Sequence, residues 1–377
     1  MGIDFNAHPL IWKGKPMSNT SNSYHQQLYI DYTMRLREIL KTMPSFVKDY
    51  FRAIEPRTSA KTRISYAYDI RVFFNFLLES NPTYKDRDPT VEEEKKLTVF
   101  KLSDLDDIKP VDIEEYLDYL KVYTGDSNKQ QINTERGLAR KFSALRSFYA
   151  YYYRRELISH NPTVMVDMPK LHEKAIVRLD VDEIVSLLDH IEHGGKNLKG
   201  QRKAYYEKTK HRDLAIITLL LGTGIRVSEC VGLDIQDVDF KNNGIKVLRK
   251  GGNEMVVYFG EEVEKALKDY MFGERGATIP IAGHENALFL SSQRRRLGVQ
   301  ALENMVKKYA KEVIPNKKIT PHKLRSTYGT ELYRETGDIY LVADVLGHKD
   351  VNTTKKHYAD IDESRRRKAA TAVKLRG

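Results

Sequence analysis

The stretch TPHKLRSTYGTELYRETGDIYLVADVLGHKDVNTTKKHY, residues 320–358, is the most informative part of this chain. Its chemically active side chains come in a fixed order: His322, Arg325, His348 and Tyr358. Two further cations lie upstream, in the strings LGTGIRVSEC and VLRKGGNEMVVYF: Arg226 and Lys250. Arginines and histidines can hold a phosphate whose charge grows in a transition state. A lysine can protonate a leaving 5′-oxygen, and a tyrosine can attack the phosphorus and stay bonded to it. The set suits a phosphodiester exchange that needs neither metal nor cofactor.

The composition favours a nucleic-acid partner. The 377 residues include 63 Lys plus Arg against 52 Asp plus Glu, a formal charge of +11 with a pI near 9.3. Basic groups that bind DNA release its condensed counterions, although a basic soluble protein of another kind has the same balance. Cys230 is the only cysteine, which excludes an intrachain disulfide and favours a reducing compartment. We find neither a signal peptide nor an apolar run near the ~18 residues of a membrane span, so we expect a cytoplasmic, nucleoid-associated protein with no membrane contact.

The first half of the chain is predicted to be helical. In the window 59–79, apolar residues recur at spacings of three and four, which is one buried helix face: Ile64, Ala67, Ile70, Phe74 and Leu77. Asn81-Pro82 ends this helix and Lys109-Pro110 begins another. Residues 1–44 are polar at first and helical near 29–43. Their role stays open between a solvated extension and a packing helix.

A predicted helix over 134–155 has two contrasting faces. One face is apolar: Leu138, Phe142, Leu145, Tyr149 and Tyr152. The opposite face is basic or hydroxylated and carries no acid: Arg136, Arg140, Ser143, Ser147 and Arg154. Such a face suits a helix laid against a phosphate backbone, and an ordinary solvated face is the alternative.

A second domain is predicted to begin near Ala175, after an extended linker at 166–174. Asp180 is placed to cap its first helix. Residues 194–212 hold seven Lys or Arg against one Glu and are interpreted as an exposed loop, either a DNA-contacting insertion or a solvated charge run. RDLAIITLLLGTG is predicted to be a buried helix. The segments GIKVLRK and EMVVYFG form a hairpin around Gly251-Gly252-Asn253, and helices fill most of 262–374.

Four strings in order resemble the tyrosine recombinases, the phage integrase family: TGIRVSE, RKGGNEMVVYF, TPHKLRSTYGT and VLGHKDVNTTKKHYA. The resemblance runs from about residue 45 to the C-terminus. The segments RTSAKTRISYAYDIRVFFNFL and RGLARKFSALRSFYAYYYRREL look like the family's core-site-binding helical module. The implied fold is mainly α with a small antiparallel β-sheet in the catalytic domain. It is a two-domain C-shaped DNA clamp, with the helical core-binding domain at 45–165 and the catalytic domain at 175–362.

The resemblance also implies roles for individual side chains. Arg226 and Arg325 would grip the non-bridging oxygens of the scissile phosphate, since the guanidinium fork matches that geometry. Glu229 would orient its neighbours. Each also has a plainer interpretation; Arg226, for example, could simply pair with Glu229 or Asp234. Lys61 and Arg63 in the first domain would join Arg136, Arg140, Ser143 and Arg154 as DNA contacts.

The remaining implied roles concern proton transfer and attack. Lys250 would be the general acid for the 5′-hydroxyl, His322 would assist proton transfer, and His348 would donate a hydrogen bond to the transition state. Tyr358 would be the nucleophile that forms a 3′-phosphotyrosyl link. In the family's commonest form the tyrosine stands one residue earlier, at the place of His357, and one residue turns a helical position by about 100°.

The implied activity is site-specific recombination of double-stranded DNA with inverted-repeat core sites, by strand exchange through a Holliday junction. The protein would act as a homotetramer on two DNA sites, and accessory DNA-bending proteins would be possible further partners. The basic tail at 363–377 would be a phosphate-binding arm or a helix packing on a neighbouring protomer. The alternatives are a DNA-binding protein with a decayed active site and a type IB topoisomerase. The topoisomerase's Ser-Lys-x-x-Tyr string is absent, since residues 354–358 are TKKHY. Integrase, resolvase and inversion roles stay open, and a mobile element is one setting.

Overall fold

The computed structural model describes residues 23–85, 93–125, 129–172, 177–249, 252–348 and 351. The chain divides into two compact units, Met1–Lys174 and Ala175–Gly377. The sequence-based expectations for Lys250, Tyr358 and the tail at 363–377 fall outside the described residues. Helices with small antiparallel sheets make up both units, which confirms the predicted fold class.

In its described residues the first unit is a helical bundle with a short antiparallel pair of strands. Its helices are α1 (Tyr24–Lys41), α2 (Val47–Ile54), α3 (Ala60–Ser80), α4 (Asp104–Asp107), α5 (Pro110–Tyr119) and α6 (Glu135–Arg154). Its strands, β1 (Val122–Thr124) and β2 (Gln130–Ile132), pair antiparallel. Hydroxyl groups cap three of these helices: Ser23 Oγ accepts from the Gln26 amide at 3.3 Å, Ser59 Oγ from the Thr62 amide at 3.1 Å and Thr134 Oγ1 from the Gly137 amide at 3.3 Å.

The predicted apolar face of α3 is buried in the core of this unit. Aromatic rings from α3, α5 and α6 fill that core: Phe73, Phe74, Tyr116, Phe148 and Tyr149. Helix α1 packs against α3 and adds Leu36, Ile39 and Leu40 to the same core. The helix expected near 29–43 is therefore a packing helix of the first unit.

The helices of the second unit pack around α8 (Gly200–Thr223), whose second half is buried as predicted. The other helices of this unit are α7 (Val181–His193), α9 (Val227–Gly232), α10 (Glu261–Tyr270), α11 (Val299–Val313), α12 (Pro321–Thr336) and α13 (Ile339–Leu346). Its three-stranded antiparallel sheet contains β3 (Val238–Asp239), β4 (Gly244–Leu248) and β5 (Glu254–Tyr258) in that order. The predicted hairpin is confirmed, with Leu248 opposite Glu254. Asp180 is the N-cap of α7, as expected.

The expectation of a loop at 194–212 is wrong. Residues Gly194–Asn197 form a 3₁₀ turn, and α8 begins at Gly200 and continues without a break to Thr223. Straight-chain residues such as Lys, Arg, Gln and Glu are good helix formers. Tyr206 and Arg212 are also buried, which holds the charged half of α8 on the unit. A high charge density here marks an exposed helix face.

No helix in the described part of the chain is long and apolar enough to cross a membrane.

Candidate active site

Arg226 lies at the start of helix α9, directly after the turn that ends α8. Its backbone N–H donates to Glu229 Oε2 at 2.9 Å, and its Nη1 donates to Glu229 Oε1 at 2.7 Å. Its Nη2 donates to the backbone carbonyl of Gly347 at 3.0 Å. The Arg226 side chain is 34% exposed, whereas that of Glu229 is only 3% exposed. A buried carboxylate therefore holds a partly open guanidinium, which leaves N–H groups for an external anion.

Arg325 is the buried counterpart of Arg226. It lies on α12 and is 6% exposed. Its Nη1 donates to the carbonyl of Gly224 and its Nη2 donates to the carbonyl of Leu346. Leu346 and Gly347 are consecutive, so the two arginines meet at one turn of backbone.

Each histidine is next to one element of the arginine pair: His322 lies near Arg325 in the chain, and His348 follows Gly347, whose carbonyl Arg226 bonds. His322 precedes Arg325 by three residues on α12, which places both side chains on one side of the helix, and His322 is exposed. His348 follows Gly347 and is half-buried, and its backbone N–H donates to the Ala343 carbonyl at 2.8 Å.

Two glycines allow these elements to approach. Gly224 has φ of 62°, and a Cβ on it would lie 2.4 Å from the Tyr328 ring and 2.9 Å from Leu346. Gly347 has φ of 61°, and a Cβ on it would lie 1.5 Å from Arg249 Nη1. The left-handed backbone and the close neighbours both require glycine.

Arg249 is a residue of this region that the motif reasoning missed. It follows β4 and donates from Nη1 to the Asp344 carbonyl at 3.3 Å and from Nη2 to the Val345 carbonyl at 2.5 Å. Burial lowers its pKa; Glu229 acts in the opposite direction, and the nearby Arg226 lowers it further. The only sequence signal is its position beside Lys250.

Three arginines therefore hold three consecutive carbonyls at the end of α13. Arg249 bonds Val345, Arg325 bonds Leu346 and Arg226 bonds Gly347. The last carbonyls of a helix have no partner within it, and they carry the negative end of the helix dipole. Cations from three separate elements thus satisfy this helix end and gather around it.

A sequence model of the phage integrase family matches residues 177–365, the segment that contains all three arginines and both histidines.

The chain belongs to the phage integrase family.

Named relatives agree with this assignment. The chain is 34% identical to a tyrosine recombinase XerC of Caldanaerobacter subterraneus subsp. tengcongensis over 328 residues, 85% of this chain and 83% of that protein. It is 31% identical to a tyrosine recombinase XerD of Staphylococcus epidermidis over 271 residues, 72% of this chain and 84% of that protein. This member of the phage integrase family is a site-specific DNA recombinase of the tyrosine class.

A solved structure of similar fold comes from the same class. It is the XerH site-specific recombinase bound to palindromic difH substrate in a post-cleavage complex, with a TM-score of 0.60 and 17% identity. The match covers 95% of this chain and 98% of that chain. At this identity the likeness supports the fold.

The plainer interpretation of Arg226 is true in part. Arg226 does pair with Glu229, and it does so while its outer edge stays exposed. Asp234 bonds Arg296 instead. The ion pair therefore orients this recombinase's arginine and leaves room for a ligand. The described residues contain no cluster of three or more His, Cys, Asp or Glu that could hold a metal ion.

The cations expected to contact DNA from the first unit differ in exposure. Four of them are exposed: Lys61, Arg136, Arg140 and Arg154. Arg140 nevertheless bonds both carboxylate oxygens of buried Asp69, and Ser143 Oγ donates to the Ala139 carbonyl. Arg63 differs from all of these, because it is 3% exposed and pairs with Glu55 at 3.1 Å. The structure buries Arg63 against a half-exposed Glu55, which corrects its expected place as an open DNA contact.

The basic face of α6 borders a concave surface. A groove of about 510 Å³ is lined by both basic and hydroxylated side chains: Arg57, Ser147, Tyr151, Arg154 and Arg155. Arg155 lies over the Tyr151 ring, 4.9 Å from its centroid. Such a surface can accept a phosphate backbone along its cationic edge.

Proposed function

We propose that this recombinase gathers six side chains around one scissile phosphate: Arg226, Lys250, His322, Arg325, His348 and Tyr358. One observation supports this most strongly. Arg226 and Arg325, 99 positions apart in the sequence, donate to the neighbouring carbonyls of Gly347 and Leu346. Cations brought together from distant positions at a partly open surface are typical of a site built for a polyanion.

Both arginines would bind the phosphate, Arg226 as a partly exposed hydrogen-bond donor and Arg325 as a buried cation. Arg226 keeps its guanidinium fixed on Glu229 and presents its remaining N–H groups outward. Arg325, whose guanidinium donates to two carbonyls, supplies a second, buried positive charge. Donors fixed before the reaction need no reorganisation as charge develops on the phosphoryl oxygens.

The remaining side chains would carry out the transfer. Tyr358 Oη attacks the phosphorus and forms the 3′-phosphotyrosyl bond while the bond from phosphorus to the 5′-oxygen breaks. Lys250 gives its proton to that oxygen, His322 assists removal of the tyrosine's proton, and His348 donates to a phosphoryl oxygen. Attack by a partner strand's 5′-hydroxyl reverses these steps and frees Tyr358. Two rounds make and resolve a Holliday junction, and no ATP is needed because the phosphotyrosyl bond keeps the energy of the phosphodiester.

The proposed substrate is double-stranded DNA with inverted-repeat core sites. The exposed residues Lys61, Arg136 and Arg154 would contact its backbone, and two such sites would be joined by a homotetramer, with accessory bending proteins where the spacing requires them. The tail at 363–377 would pack on a neighbouring protomer. Such an enzyme works in the cytoplasm on the nucleoid, and a mobile element is a natural setting.

A nicked suicide substrate tests the chemistry. The DNA is selected first for binding to the Tyr358→Phe protein, then nicked beside the cleavage point so that the released fragment diffuses away. We expect the unmodified protein to form a covalent adduct visible by denaturing electrophoresis, and Tyr358→Phe to form none. Tyr340→Phe is the matched control, because Tyr340 on α13 is 71% exposed and should leave the adduct unchanged.

The alternatives give different results in this assay. Specific binding with no adduct from the unmodified protein indicates a decayed active site. An adduct together with relaxation of supercoils that lack the selected site indicates a topoisomerase. An adduct that persists in Tyr358→Phe removes Tyr358 as the nucleophile.

A further inference from the structure

Arg249 connects two parts of the catalytic unit that lie far apart in the sequence. It stands at the end of β4, and its guanidinium bonds carbonyls 95 and 96 positions later, those of Asp344 and Val345. The residue after Arg249 is Lys250, and the segment it bonds leads through Gly347 to His348. One side chain therefore fixes the strand end that precedes the proposed general acid.

The guanidinium of Arg249 packs tightly against the backbone at the end of α13. The Gly347 backbone passes so near the guanidinium that a Cβ would lie 1.5 Å from Nη1 and 2.5 Å from Cζ. Arg249 also places its Nε–H in a buried position without an acceptor among the described atoms. An unsatisfied buried donor costs stability, so the arrangement is poorly explained by stability alone.

The strand end needs such an anchor. The Arg249 backbone N–H donates to the Asn253 carbonyl at 2.8 Å, and the Gly252 N–H donates to the Arg249 carbonyl at 3.1 Å, so Arg249 also closes the hairpin turn. Gly252 has φ of 85° and nothing near the place of a Cβ. The bonds from Arg249 to α13 therefore fix one end of this turn, and Gly252, with its left-handed φ, stands near the other.

We propose that Arg249 is a positioning residue for Lys250: by holding the end of β4 on the C-terminal carbonyls of α13, it places the lysine ammonium at the leaving 5′-oxygen. This rests on the proposed role of Lys250 as general acid. Arg249 acts through the hairpin. Its two guanidinium bonds join the end of β4 to α13, whereas Arg226 and Arg325 are the proposed phosphate ligands.

A substrate with sulfur at the bridging 5′ position separates this role from a general structural one. A thiol with a pKa of about 8.5 leaves without protonation, so cleavage of such a 5′-phosphorothiolate does not need a general acid. We measure single-turnover cleavage of ordinary and phosphorothiolate DNA by the full-length protein at saturating concentration. Arg249→Ala is expected to slow ordinary cleavage by roughly 10²-fold and to regain a near-normal rate on the sulfur substrate. The dissociation constant for the DNA should stay within about threefold.

Two further variants complete the test. Lys250→Ala should show the same recovery; its failure to recover would overturn the proposed general acid, and with it the role of Arg249 as the residue that positions it. Lys246→Ala removes an exposed cation from the same strand, 3.5 Å from Glu254, and should behave as wild type on both substrates.

The role of Arg249 is overturned if Lys250→Ala recovers while Arg249→Ala is equally slow on both substrates, or if Arg249→Ala cleaves ordinary DNA at the normal rate. If Arg249→Ala unfolds at a lower temperature than the unmodified protein, Arg249→Lys, which keeps the charge but not the double contact, replaces it in the same cleavage measurements and is judged by the same outcomes.

Discussion

Arg226 donates from Nη2 to the carbonyl of Gly347 at 3.0 Å, across 121 positions of the chain. The bond fixes the guanidinium against the turn that leads to His348. On its other side the same guanidinium is held by Glu229. The orientation of Arg226 is thus set by one buried carboxylate and one carbonyl, and removal of either should be visible in catalysis.

The first prediction concerns Glu229. Glu229→Ala removes the acceptor of two Arg226 bonds and should slow adduct formation by roughly 10²-fold, since a misplaced phosphate donor costs about that much. It should also lower the free energy of unfolding by about 1–3 kcal/mol, because the backbone N–H and the guanidinium of Arg226 both lose their acceptor. Single-turnover cleavage and urea denaturation measure the two effects.

Glu254→Ala is the matched control for Glu229. Glu254 pairs with Lys246 at 3.5 Å with both side chains exposed, so the loss should stay within about 0.5 kcal/mol. Equal effects of the two substitutions on cleavage would contradict the role given to Glu229.

The second prediction concerns Gly347. Gly347→Ala adds a Cβ where φ is 61° and where Arg249 Nη1 lies 1.5 Å away. Left-handed strain alone should cost about 1 kcal/mol, and displacement of Arg249 and Arg226 should slow cleavage in addition. Gly283→Ala isolates the first effect, because Gly283 has φ of 84° and open space around its Cβ position. A cleavage rate for Gly347→Ala no lower than that for Gly283→Ala would argue against a role for this close contact.

The third prediction separates the cations on α6. Arg136→Ala and Arg154→Ala should each reduce the slope of log binding constant against log salt concentration by about 1, as expected for one lost phosphate contact. Arg140 is held by buried Asp69. Arg140→Ala should therefore change this slope less and should lower the free energy of unfolding by about 1–3 kcal/mol. Salt titrations of DNA binding and urea denaturation distinguish the two outcomes, and the reverse pattern would place Arg140 on the DNA.

The resemblance to the tyrosine recombinases implied that Arg226 and Arg325 share one site, and the two do donate to the neighbouring carbonyls of Gly347 and Leu346. The amphipathic face of α3 was predictable from the residues themselves, since burial imposes a period on Ile64, Phe74 and Leu77.

Arg249 was not predictable, because its partners are backbone carbonyls. A carbonyl has no residue type, so the sequence around Val345 contains no sign that a cation will bond there. The burial of Arg63, which was expected to contact DNA, was not predictable for a related reason: its partner, Glu55, lies in the 3₁₀ turn Glu55–Arg57 just before α3, and only the packed structure brings the two together.

The last prediction concerns pH. Burial raises the pKa of Glu274 from its ordinary value to about 7, and its Oε1 is buried without an acceptor or donor among the described atoms, while Oε2 accepts from the Arg212 N–H. A carboxyl whose folded pKa lies above its unfolded value binds more protons when folded, so stability should fall as pH rises from about 4.5 to 7. Glu274 is only half-buried, so the loss should be on the order of 1 kcal/mol after screening by solvent. Glu274→Gln should match wild type near pH 5 and be more stable at pH 8, measured by urea denaturation at both values. A wild-type advantage at pH 8 would show that Glu274 is stabilised as a carboxylate.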